Sequence, residues 1–227
     1  MNIKLNYVEK GSGMPLVLLH GNGESSECFS AQIPVFSKKY RVIAVDTRGH
    51  GKSPRGDKPF TLAQFAEDLK NLLDNLELKK IYLLGFSDGG NIAITFMLKY
   101  PQYVEKLILN GANMTPNGVV PEVKRMFMKD WRKASVAAFF GRGDKRKKEL
   151  LDLMVKEPHF TKEQLSAITV PTLVLVGNKD MITESETDTI ASSIPNSTKR
   201  VLEGTHFIVS ENSDEYNMVV LDFLEDE

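Results

Sequence analysis

Gly85-Phe86-Ser87-Asp88-Gly89 lies between an apolar run, Ile81–Leu84, and a helical run, Asn91–Lys99. A serine held in a sharp strand-to-helix turn presents its hydroxyl at the end of a sheet as a nucleophile. The flanking glycines suit such a turn, because strand and helix approach closely and leave no room for side chains. The start of the helix adds backbone donors and a dipole that favour a developing negative charge.

A serine hydroxyl is a weak nucleophile without a base. The chain has four histidines, His20, His50, His159 and His206. His206, in Gly204-Thr205-His206-Phe207, alone lies late in the chain, after the last strand candidate and before a C-terminal amphipathic pattern. The base needs an acid to orient it and to stabilise its charged form. Asp180 ends Val174-Leu175-Val176-Gly177-Asn178-Lys179-Asp180, an apolar run followed by a loop. The other loop placed to supply an acid, Asn110-Gly111-Ala112-Asn113, holds no carboxylate, which strengthens Asp180. Ser87, His206 and Asp180 therefore read as nucleophile, base and acid.

These residues need a frame. Ile3–Val8 alternates and reads as a first strand. Leu16–Leu19, Arg41–Val45, Ile81–Leu84, Leu107–Leu109 and Thr172–Val176 read as strands buried on both faces of a parallel sheet. Lys199–Leu202 is more polar and belongs near an edge. Leu62, Phe65, Ala66, Leu69, Leu72, Leu73 and Leu76 keep one helical face apolar, with a Thr61/Gln64 capping box at the start. Thr183 and Glu186 suggest a second box. Alternating strands and helices imply α/β architecture: a mostly parallel central sheet with helices on both faces. The stretch 113–168 has short helical patches and no strand candidate, and is too long for a plain loop. It is expected to form a small helical lid, with residues 1–112 and 169–227 as the core.

Composition excludes several classes. The 29 Lys plus Arg nearly cancel the 30 Asp plus Glu, so whole-chain electrostatics give no reason to expect nucleic-acid or membrane binding. The apolar runs are too short to cross a bilayer. One cysteine, Cys28, excludes an internal disulfide and fits a reducing cytoplasm. No cluster suggests a metal, and no cofactor is expected. The expected partner is a small-molecule substrate.

With His20-Gly21-Asn22-Gly23 and Asp46-Thr47-Arg48-Gly49-His50-Gly51-Lys52-Ser53 added, the chain resembles the α/β-hydrolase fold superfamily over essentially its whole length. The matching branch has small helical lids. The resemblance implies the triad order Ser87, Asp180, His206. It implies an oxyanion hole from the backbone N–H groups of Asn22 and Asp88. It assigns His20, His50 and Arg48 structural roles, with Arg48 paired to a carboxylate. The short start departs from the family by leaving room for only one strand before Leu16. Relatives that open epoxides or dehalogenate carry a carboxylate where this chain has Ser87.

The expected activity is cleavage of a small carboxylic ester through an acyl-enzyme. The alternatives are carbon–carbon bond hydrolysis by the same triad, or a non-catalytic ligand sensor on this fold. Phe86, Met126, Phe127, Trp131, Phe139 and Phe140 are candidates to line the substrate pocket. The Asp88 side chain has two readings: favourable interaction with the helix dipole, or capture of a cationic substrate group. The basic run Arg142 to Lys148 reads as a solvated face.

Overall fold

A strand that is apolar at every residue must bury both of its faces, and the computed structural model, which describes residues 3–226, shows where. The strands are β1 (Tyr7–Lys10), β2 (Pro15–Leu19), β3 (Arg41–Val45), β4 (Ile81–Phe86), β5 (Val104–Asn110), β6 (Thr172–Gly177) and β7 (Ser197–Leu202). They form one sheet in the order β1-β3-β2-β4-β5-β6-β7. Every pairing is parallel except β1 with β3.

The helices are α1 (Ile33–Phe36), α2 (Leu62–Asn75), α3 (Asp88–Lys99), α4 (Pro121–Phe139), α5 (Lys145–Lys156), α6 (Lys162–Ser166), α7 (Glu184–Ser193), α8 (Ile208–Glu211) and α9 (Ser213–Glu225). Val17 and Leu19 of β2 pack with α2, α3 and α7 residues on one face. Leu16 and Leu18 pack with Phe36 of α1, Ile208 of α8 and Tyr216 of α9 on the other. Successive side chains of a strand point to opposite faces, so two covered faces demand a continuous apolar run.

Three local expectations are corrected. The first strand begins at Tyr7, not Ile3. Asn6 is diverted: its N–H donates to Ser53 Oγ, its side chain to Asp46, and its carbonyl accepts Asp46 N–H. The Thr61/Gln64 box is half made. Thr61 accepts Gln64 N–H, but the Gln64 amide donates to Asp68. Thr183 caps nothing through its side chain. Glu186 instead accepts the N–H groups of Met114 and Thr115 at 2.7 and 2.8 Å, tying α7 to the chain leaving β5.

The segment 113–168 is helical, but the expected boundary is not a boundary in packing. Residues 121–139 form one continuous helix, α4, rather than separate short patches. Leu153, Leu165 and Ile168 are buried in the same apolar cluster as the strands. Each such burial is worth roughly 1.5–3 kcal/mol, which holds α5 and α6 to the core. α4 has no buried residue. It rests on α5, where the Trp131 indole N–H donates to Asp152 at 2.8 Å. Met1, Asn2 and Glu227, included in the expected core, lie outside the described residues. No helix among the described residues is long and apolar enough to cross a membrane.

Candidate active site

Asn22, Ser87, Asp180 and His206 all follow the carboxyl ends of strands β2, β4, β6 and β7. β2 and β4 are neighbours, as are β6 and β7, so the sheet order brings the four loops to one edge.

Ser87 has φ 55° and ψ −121°, a backbone conformation that L residues rarely adopt. Such strain costs on the order of 1–3 kcal/mol and persists only where the surroundings enforce it. Here Ser87 N–H donates to Asn110 O at 2.7 Å, and Ser87 O accepts Gly90 N–H at 2.8 Å. The two motif glycines are sterically required. A Cβ on Gly85 would lie 2.2 Å from Gly89 O, and one on Gly89 would lie 2.1 Å from Leu19 O.

Ser87 Oγ lies 2.9 Å from His206 Nε2, and His206 Nδ1 lies 2.7 Å from Asp180 Oδ1. A carboxylate only accepts, so Nδ1 carries the proton and Nε2 is left to accept from the serine hydroxyl. Asp180 Oδ1 also accepts Ile182 N–H at 2.8 Å, which holds the acid in place. Both side chains are almost fully buried. The Phe86 ring packs 5.1 Å from the His206 ring. Glu211 of α8 accepts both the N–H and the hydroxyl of Thr205, bracing the loop that carries the histidine.

The N–H groups of Asn22 and Asp88 have no hydrogen-bond partner among the described residues. Their neighbours are committed: Gly21 N–H donates to Glu24, and Gly23 N–H to His50 Nε2. The Asn22 side chain donates to Asp88 Oδ2 at 2.7 Å and to Leu150 O at 3.2 Å, joining this loop to the serine turn and to α5. Burial pushes the Asp88 carboxyl above its usual range, as it does those of Glu24 and Glu157. The charge of Asp88 raises Glu157 further, and no ion pair neutralises any of the three among the described residues. Sequence reading missed Glu24 and Glu157. Glu24, two residues after Asn22, carried a signal only through that spacing.

The pocket-lining expectations are partly overturned. Met126, Phe139 and Phe140 are 52%, 85% and 68% exposed, because α4 turns that side to solvent. Trp131 is spent on α5 through Asp152. Phe86 is buried beneath His206 rather than facing a pocket. Phe127 is half-buried.

The turn after β3 buttresses the site. Asp46 accepts the N–H groups of Ser26 and Lys52. Arg48 makes a two-pronged pair with Asp68 at 2.6 and 2.7 Å. His20 Nε2 accepts Thr47 N–H at 3.0 Å, and His20 Nδ1 meets Gly21 O at 2.7 Å. Burial lowers both histidines below the ordinary value, and His50, also disfavoured by His20, falls to about 4.

This has a stability consequence. Between about pH 6.5 and 4 the unfolded chain protonates at position 50 while the folded chain does not, so stability falls as pH falls. Urea unfolding at pH 7 and pH 5 should show His50→Gln losing about 2 kcal/mol less than wild type across that interval. Equal losses would mean that His50 titrates normally in the fold.

Residues 14–147 match the family described as alpha/beta hydrolase fold, and the chain belongs to that family. Human serine hydrolase BPHL is 31% identical over 251 positions, covering 98% of this chain and 84% of the relative. A 117-residue stretch is 32% identical to an uncharacterized Mycobacterium tuberculosis protein; it covers 52% of this chain and 33% of that relative. A thermophilic esterase from Thermogutta terrifontis superposes with TM-score 0.80 at 27% identity, covering 98% of this chain and 93% of the other. A bromoperoxidase from Bacillus anthracis gives TM-score 0.85 at 24% identity, over 99% and 96%, a likeness of fold alone.

Proposed function

We propose that this chain is a serine hydrolase that cleaves a carboxylic ester of modest size through an acyl-enzyme. The observation that carries the reading is the continuous hydrogen-bonded line from Ser87 Oγ through His206 to Asp180. Ser87 attacks the carbonyl carbon while His206 Nε2 takes its proton. Asp180 stabilises the imidazolium that forms. The carbonyl oxygen becomes an oxyanion and takes the two unpartnered N–H groups of Asn22 and Asp88, each worth about 3 kcal/mol in the transition state. His206 then returns the proton to the departing alcohol. Water, deprotonated by His206, attacks the acyl-enzyme and restores Ser87. The scheme calls for no cofactor.

The test is turnover of a short-chain nitrophenyl ester, with and without a serine-reactive organophosphonate. Turnover abolished by the inhibitor, with the adduct on Ser87, is expected. A protein that gives neither turnover nor adduct is a sensor on this fold. One that cleaves a diketone-like substrate far faster than esters uses the triad for carbon–carbon hydrolysis.

The same reading includes a substrate feature. The Asp88 carboxylate is desolvated and held by amides rather than by a cation. A substrate ammonium would supply the missing charge, and hydrogen bonds to charged groups contribute about 1.5–3 kcal/mol. Asp88→Asn should lower kcat/KM for an amino-acid ester by roughly 10–150-fold relative to a matched ester lacking the amine. The backbone N–H is untouched, but asparagine has one acceptor where Asn22 and Asn91 now use two, so the amine-free ester should lose some activity and the amino-acid ester much more. Equal losses for both esters would leave Asp88 with the helix-dipole role alone.

A further inference from the structure

The near-zero charge of the whole chain hides a strong local asymmetry. Residues 121–148 hold ten Lys and Arg against three Asp and Glu, leaving 19 of the 29 basic and 27 of the 30 acidic residues elsewhere. That segment is α4, the turn after it and the start of α5. Among the described residues, Lys129, Arg132, Lys133, Arg142, Lys145 and Lys147 form no ion pair. Asp144, the one acid inside the basic run, is committed to capping α5 by accepting the N–H groups of Arg146 and Lys147.

The same segment carries the most exposed aromatic side chains of the protein. Phe139 and Phe140 meet edge to face at 5.3 Å where α4 ends. Gly141 and Gly143, at φ +67° and +92°, then turn the chain back. Met126, Val136 and Phe140 are exposed and share one helical face with Lys129 and Lys133. Exposed apolar residues interspersed with cations whose long stems can snorkel, on a helix that buries nothing, present apolar and cationic groups together to one surface.

We propose that this segment, the exposed face of α4 with the following turn, docks the protein on an anionic lipid surface. Charge decides against a second copy of this chain seated face to face, because a two-fold contact would oppose a net seven positive charges with seven. The aliphatic members decide against nucleic acid. Met126 and Val136 offer no ring to stack on a base, whereas an acyl layer accepts them together with the phenyl rings. The lysines and arginines then lie at the depth of the lipid headgroups, where their long apolar stems can bury and their charges stay hydrated.

The test is co-flotation of the full chain with vesicles, either phosphatidylcholine alone or with about one-third phosphatidylserine. The protein should partition at least tenfold more strongly onto the anionic vesicles, and less as salt is raised. Arg142→Gln, Lys145→Gln and Lys147→Gln together should weaken partitioning by about 100-fold, at roughly fivefold per cation. Phe139→Ser with Phe140→Ser should weaken it by about tenfold or more. Both variants alter exposed side chains, so helical content and thermal midpoint should stay at wild-type values. Absence of partitioning overturns the proposal. So does binding indifferent to the phenylalanines and displaced by RNA, which makes the segment a general polyanion site. A vesicle-free dimer dissolved by Phe140→Ser would overturn it in favour of self-association.

Discussion

Ser87→Ala is expected to lower ester hydrolysis by roughly 10⁴-fold or more, while the urea midpoint stays close to wild type. In the proposed scheme the hydroxyl forms the acyl-enzyme, and nothing beside it can substitute. His206 Nε2 would still face the substrate, but it could only act on water, without a covalent intermediate. The structural cost is small, because the strain at φ 55° belongs to the backbone and alanine inherits it unchanged. The same substitution must abolish labelling by an organophosphonate. Asp180→Asn should cost almost as much by a different route: the imidazolium formed when Ser87 gives up its proton loses the charge that stabilises it. Its labelling should be slowed rather than abolished, which separates nucleophile from orienting acid. Full activity in either variant would show that the wrong three residues have been joined.

The line from Ser87 to Asp180 was legible in the sequence for a physical reason. A nucleophile in a strained turn needs glycines where backbones nearly touch, and glycine is visible as a letter. The buried strands were legible because two covered faces demand unbroken apolar runs. What could not be read depended on where long polar side chains reach. Glu186 looked like half of a capping box and instead bridges to Met114 and Thr115. Asn6 sat in an alternating strand pattern, yet the Ser53 hydroxyl takes its N–H out of the ladder. Phe139 and Phe140 had the composition of pocket lining. Whether an apolar residue on a helix faces a core or solvent is set by what lies opposite, and periodicity alone does not supply that. The basic run Arg142 to Lys148 read as a solvated face for the same reason. Its meaning changes once exposed rings stand beside it.

Asp68→Ala is expected to cost about 3–5 kcal/mol of folding stability, a large share of the 5–15 kcal/mol a domain of this kind has. Arg48 is 0% exposed and its guanidinium is held by both oxygens of Asp68, with one further bond to Arg55 O. Removing the carboxylate leaves a buried cation with a single carbonyl for company. The pair itself need not be strongly stabilising, because taking two charges out of water costs about as much as their attraction returns. This separates two accounts. If the unpaired charge is the cause, Arg48→Met combined with Asp68→Leu should recover most of the stability lost by Asp68→Ala alone. If the fork geometry is the cause, the double variant should be as unstable as the single one. The first outcome is expected, since apolar residues of similar volume fill the site without an ion to desolvate. A loss below about 1 kcal/mol for Asp68→Ala would mean that water reaches Arg48 in solution and that the turn beneath the His20-Gly21-Asn22-Gly23 loop is looser than its hydrogen bonds imply.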